Sequence, residues 1–178
     1  MNTADASPNE PTAPRAVASD LVSQLNQSQQ RLILAESCTC GAAAAAIGSV
    51  PGASNVFCGS AVTYRETTKQ AWLGITTIDL AQFTAESQEI TNQMAAAVLQ
   101  NTPDATIAAA ITGHFGPDAP SALDGVIFIA VQHREQLLQA TRIQLQSQSR
   151  QDRQTEATIQ LLSAIRQGMN TQDQMADQ

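Results

Sequence analysis

Leu32-Ile33-Leu34-Ala35-Glu36-Ser37-Cys38-Thr39-Cys40-Gly41, running on through five alanines to Gly48, is the stretch that decides the fold. Its first four residues are a short apolar run, which reads as a buried strand. Thr39 to Gly48 reads as a helix, because alanine is the best helix former and its small side chain lets a helix lie close to a sheet. A strand passing straight into a helix is the opening of a layered α/β unit.

The neighbouring segments extend the pattern. Upstream, Val17, Leu21 and Leu25 recur at helical spacing. Downstream, Ser49 to Asn55 with Pro51-Gly52 is a loop, Val56 to Tyr64 a strand, and Glu66 to Leu73 a short helix ended by Gly74. Ile90, Met94, Ala97 and Val98 mark a helix starting near Ser87, and Ala105 to Thr112 is a buried strand ending in Gly113. Residues 116–124 form a loop with two prolines. Val126 to Val131 and Leu137 to Leu145 read as two strands about a turn near His133, and Thr158, Leu161, Leu162 and Ile165 give a last helix. The expected fold is a single three-layer α/β/α domain with a mostly parallel sheet and a possible antiparallel edge. Ligands of such sheets bind beyond the carboxyl ends of strands. If their strands are parallel neighbours, Glu36 to Thr39 and Thr112 to Pro117 meet at one mouth.

Composition narrows the function classes. One domain is expected over residues 15–168, with polar, disordered tails at 1–14 and 169–178. There is no run of 18 apolar residues, so no membrane partner is expected. The first residues lack a basic and an apolar region of a secretory signal, which reads as cytoplasmic. A net charge of −7 with scattered arginines argues against a nucleic-acid surface. Cys38, Cys40 and Cys58, with only His114 and His133 beside them, make a poor zinc set, so no metal and no cofactor is expected. The thiols read as reduced packing residues, with a redox role for Cys38 or Cys40 as the alternative.

Lys69 is the only lysine beside eight arginines, and the only tyrosine, Tyr64, lies five residues before it. Arginine stays protonated, whereas a lysine in a dry pocket loses its proton and serves as a base. Composition alone leaves open that Lys69 lies on a solvated helix face. Ser37, at a strand-to-helix turn, is the natural hydroxyl client. Backbone N–H groups of Cys38 to Gly41 at the helix start are candidate anion donors, or Ser37 or Thr39 merely caps the helix. Thr112-Gly113-His114-Phe115-Gly116 brings backbone close to a ligand or is only a turn. Arg150 and Arg153 either reach a phosphate or lie on a solvated helix face.

Together these segments resemble the C-terminal domain family of the competence/damage-inducible protein CinA, whose stand-alone members are nicotinamide-nucleotide amidases. The family's Ala-Glu-Ser-Cys-Thr-Gly-Gly is similar to Ala35 through Gly41, and its Val-Thr-Tyr-Ser-Asn-Glu-Ala-Lys to Val62 through Lys69. Val50 to Ser54, Leu73-Gly74, Ser87, Met94-Ala95, Thr112 to Pro117 and Gly125 match further family positions, so the likeness covers about residues 17–166. It implies a serine-type amidase acting on nicotinamide mononucleotide: Ser37 as nucleophile, Lys69 as base, Tyr64 relaying the proton or steadying charge, and Ser54 assisting. It implies substrate contacts from Cys38, Thr39, Cys40, Gly41, Thr112, Gly113 and Gly116, a phosphate contact from Arg150 or Arg153, and a homo-oligomer. The chain departs from the pattern at Cys40, which replaces a glycine, at His114 and Phe115, which replace small or aliphatic residues, and in a shortened loop before Gly125. These departures imply a changed substrate preference or, alternatively, a weak or idle nucleotide-binding module.

Overall fold

The computed structural model describes residues 13–134 and 136–176. The expected tail at 1–14 lies outside the described residues, apart from Ala13 and Pro14. Pro14 opens the first helix, α1 (Pro14–Gln27), where its missing N–H costs nothing. Then follow β1 (Leu32–Glu36), α2 (Ala42–Gly48), a 3₁₀ turn at Ala53–Asn55, β2 (Phe57–Val62), α3 (Glu66–Leu73), α4 (Thr77–Phe83), α5 (Gln88–Gln100), β3 (Ile107–Gly113), β4 (Val126–His133), β5 (Gln136–Gln144) and α6 (Arg150–Ala176).

The strand order is β2-β1-β3-β4-β5. β1 pairs in parallel with both β2 and β3, while β4 runs antiparallel to β3 and to β5. The sheet is therefore mixed: the crossovers through α2 and α3–α5 make its parallel half, and the direct connections at Asp124 and Arg134 make the rest. Every residue of β1 is buried, because the strand is covered on both faces. Leu32 and Leu34 pack with α1, α2 and α6. Ile33 and Ala35 pack with α3 and α5. This alternation sets the site, since it sends Glu36 toward α2 and Ser37 toward α3.

Two expectations need correction. Residues 169–176 belong to α6 rather than to a tail. Met169 is buried in the core, and Gln24 on α1 donates to Asn170 Oδ1 at 2.7 Å, so packing carries the helix past its apolar stripe. The helix after β1 begins at Ala42, not Thr39, because Cys40 and Gly41 adopt left-handed φ values of 52° and 90°. α4 is a short helix that the apolar pattern did not show. Thr76 caps it by accepting from the Asp79 N–H at 3.0 Å.

Candidate functional site

β1 and β3 are parallel neighbours, so their carboxyl ends do meet. Ser37 follows β1 directly, and its N–H donates to Ile111 O of β3 at 3.1 Å. Lys69 comes from the middle of α3 and is 0% exposed. Its Nζ donates to Thr63 O at 2.9 Å and lies 3.0 Å from Ser37 Oγ. Neither partner is charged. Burial pushes the Lys69 amine below its ordinary 10.5, against the charges of Glu86 first, then Cys38 and Glu66. An amine lowered in this way, 3.0 Å from an alcohol, has the placement that a general base requires.

The start of α2 is not the anion site that the sequence suggested. Glu36 is fully buried, and its carboxylate fills that position itself. It accepts from Thr39 Oγ1 (2.8 Å), Gly41 N (3.0 Å), Ala43 N (3.2 Å), Ala44 N (3.0 Å) and Ser60 Oγ (3.0 Å). The helix dipole and its orphan N–H groups are thus satisfied from within. The Thr39 hydroxyl and the Gly41 N–H thus serve Glu36. Sequence reasoning missed Glu36, although a charged residue closing a fully apolar strand needs several partners.

An open cleft of about 270 Å³ lies over the dyad. Ser37, Cys38, Tyr64, Glu86, Gly113, His114, Gly116 and Arg150 are among its lining residues. An adjoining cleft of about 390 Å³ shares Cys38, Tyr64, Phe115 and Arg150 and adds Cys40. Gly113 is needed where it stands, since a Cβ there would lie 2.6 Å from Val126 O. Thr112 is buried away from the cleft, 2.8 Å from the Thr91 hydroxyl of α5. Cys38 is buried, and burial pushes its thiol up to about 12, which rules it out as a nucleophile near neutral pH. Cys40 is exposed and does not line the Ser37 cleft, so its side chain does not crowd the nucleophile.

Tyr64 is 49% exposed, and its hydroxyl accepts from Arg150 Nη2 at 2.7 Å. Among the described residues the phenol is bonded to the arginine and not to Lys69 or Ser37. Arg150, in the first turn of α6, also donates to Gly116 O at 2.9 Å and stacks over Phe115. It is the arginine at the cleft. Arg153 is not: it is 7% exposed and binds both carboxylate oxygens of Asp124 at 2.6 and 2.9 Å. That pair ties α6 to the loop before β4. Ser54 lies in a surface hollow with Arg31, Cys58 and Asp104 at the opposite, amino end of β1, so it does not assist Ser37. Glu86, which carried no role in the sequence reading, faces His114 at 3.7 Å in the cleft. Among the described residues no group of three or more His, Cys, Asp or Glu is placed to hold a metal.

The model of the CinA C-terminal domain matches residues 14–169. A CinA-like protein of Myxococcus xanthus is 36% identical over 118 residues, 65% of this chain and 28% of that protein. A putative competence-damage inducible protein of Caldicellulosiruptor saccharolyticus is 38% identical over 113 residues, 62% of this chain and 27% of its own length. The matched stretch is thus about a quarter of each of these longer relatives. Among solved structures, the competence/damage inducible protein CihA of Agrobacterium tumefaciens superposes with a TM-score of 0.83 at 25% identity, covering 91% of this chain and 99% of that one. The competence damage-inducible protein A of Klebsiella pneumoniae gives 0.81 at 24%, covering 86% and 95%.

Proposed function

Since this chain belongs to the CinA C-terminal domain family, we propose that it is a serine-type amidohydrolase acting on the carboxamide of nicotinamide mononucleotide or a closely related amide. The observation that carries the reading is the buried Lys69 amine 3.0 Å from Ser37 Oγ, with a carbonyl as its other partner. Lys69 Nζ takes the hydroxyl proton as Ser37 Oγ attacks the amide carbon. The tetrahedral intermediate collapses when the C–N bond breaks, and the lysine returns the proton so that ammonia leaves. Water then attacks the acyl ester, Lys69 accepts its proton, and Ser37 Oγ recovers it as the acid departs. The sum is amide plus water giving acid plus ammonia. Glu36 has taken the N–H groups of Gly41, Ala43 and Ala44, so oxyanion donors fall to backbone outside the start of α2. Arg150 is the phosphate contact, exchanging its bond to Tyr64 or Gly116 for the ligand.

Ammonia release from nicotinamide mononucleotide tests the reading. Turnover by the native protein and none by Ser37→Ala is expected; no release above the Ser37→Ala background sinks it. A second reading, nucleotide binding without turnover, is favoured by the Tyr64–Arg150 bond, which leaves the dyad without a third group. Calorimetric binding with no ammonia would select it.

A further inference from the structure

Glu86 and His114 occupy the Ser37 cleft, yet the proton path through Lys69 uses neither. Both sit beside well-bonded backbone. Glu86 precedes Ser87, the residue that caps α5 by accepting from the Ile90 N–H at 3.2 Å. His114 is held on both sides of its backbone: its N–H donates to Val126 O at 3.0 Å, and its O accepts from Gly125 N at 2.9 Å. The imidazole Nε2 then lies 3.7 Å from Glu86 Oε2, with both side chains partly open to the cleft.

The charges around the cleft are unevenly spread. Arg150 is bonded to Gly116 O and Tyr64 and lies over Phe115, toward the adjoining cleft. The Ser37 cleft is lined by Glu86 and Asp118 as well, and Glu86 is the charge that acts most on Lys69. His114 faces Glu86 at 3.7 Å, while Lys69 is bonded to neutral groups. A ligand in the cleft therefore meets both a guanidinium and a carboxylate, and the carboxylate is the one that acts on Lys69.

We infer that Glu86, which faces His114 across the cleft, is a specificity-determining residue that selects amides carried on a cationic ring. The inference rests on the amidase reading of the same cleft and adds the basis for choosing among amides. A cationic ring seated beside Glu86 gains an attraction that a neutral ring of the same shape does not. The arrangement also couples selection to chemistry. Glu86 is the foremost charge opposing the loss of a proton from Lys69. A bound cation offsets that opposition, so the right ligand helps free the base. A neutral ring supplies no such offset and leaves the amine better able to hold its proton.

Binding to Ser37→Ala, which removes turnover, separates ring charge from reactivity. The probes are nicotinamide mononucleotide and its reduced dihydropyridine form, which keeps the carboxamide and phosphate but has an uncharged ring. Ser37→Ala should bind the cationic form about tenfold more tightly, a modest factor because both side chains of the pair are partly solvated. Ser37→Ala with Glu86→Gln should bind the two forms alike. The preference should survive His114→Ala and narrow as ionic strength rises, a readout that does not depend on the Glu86 variant folding. Equal binding of the two forms with Glu86 intact, binding of neither, or a preference that persists in Glu86→Gln overturns the inference. Ammonia release by the native protein decides the amidase reading separately: turnover without ring-charge preference removes the role of Glu86 and leaves the dyad standing.

Discussion

Lys69 and Arg153 are both buried cations, and they have opposite environments. Arg153 is held by both oxygens of Asp124 and by Ser147 O at 3.0 Å, and that pairing pushes its guanidinium further toward the charged form. Lys69 has a hydroxyl and a carbonyl, and burial pushes it toward the neutral form. A charge compensated in place secures α6 to a loop. A charge left uncompensated is ready to give up its proton. The contrast separates scaffold from chemistry more sharply than burial does.

The largest break in that contrast comes from Lys69→Met. It should lower amide turnover by about 10²–10⁴-fold, the usual worth of a positioned base, while thermal stability holds or rises because an apolar group replaces a buried amine. Lys69→Arg should not restore the rate, since a guanidinium stays protonated. Ammonia assays and melting curves read both outcomes. Turnover that survives Lys69→Met would remove the base from the mechanism. Next in size is Glu36→Gln. The carboxylate serves five donors at the start of α2, and weakening it should cost about 3 kcal/mol in urea denaturation. An unchanged midpoint would show that the helix start finds other partners.

Asp124→Asn sharpens the comparison from the other side. It should lower the melting temperature and leave the shape of the pH–rate profile alone, because Arg153 does not titrate near the dyad. A moved profile would place Arg153 in the chemistry. The pH dependence of stability gives a gentler effect. The folded value of Lys69 lies below the ordinary 10.5. Between the two, the unfolded chain holds a proton that the folded chain has released, so stability climbs with pH across that window and the cost of the buried cation is full below it. Denaturant midpoints over a pH series should show a climb in the native protein that Lys69→Met flattens. Parallel curves for the two proteins would mean that Lys69 is not depressed.

Much of this was legible in the sequence because local signals agreed. The all-apolar Leu32 to Ala35 run, the alanine block and the Glu66 to Leu73 helix with its Gly74 stop all pointed to one layered fold. Lys69 drew notice as a residue type kept once in a chain that otherwise avoids it, and Ser37 by its place at a strand-to-helix turn; the family resemblance joined the two. What stayed hidden is relational. Nothing in the order of residues says that Glu36 turns back into the helix start, that Tyr64 meets Arg150 across 86 positions, or that Asp124 claims Arg153. Those pairings depend on which face of β1 each residue takes and on where α6 crosses the sheet. α4 was missed because its apolar positions are too few for a periodicity, although Thr76 and Asp79 spell out its cap.

The smallest predicted effect is also informative. Ser54 resembles a family position near the catalytic pair, yet it sits where Leu32 N bonds Val56 O, at the amino end of the strand that carries Ser37 at its other end. Five strand residues lie between the two ends, and no side chain bridges that length within the chain. Ser54 is exposed and accepts no hydrogen bond that the fold requires. Ser54→Ala should therefore change kcat/KM and stability by less than about twofold and 0.5 kcal/mol, as for an ordinary surface position. A large loss of kcat/KM at unchanged stability would place Ser54 beside a dyad it cannot reach in its own chain. A second copy would then have to present it, and sedimentation of the active species would show an oligomer.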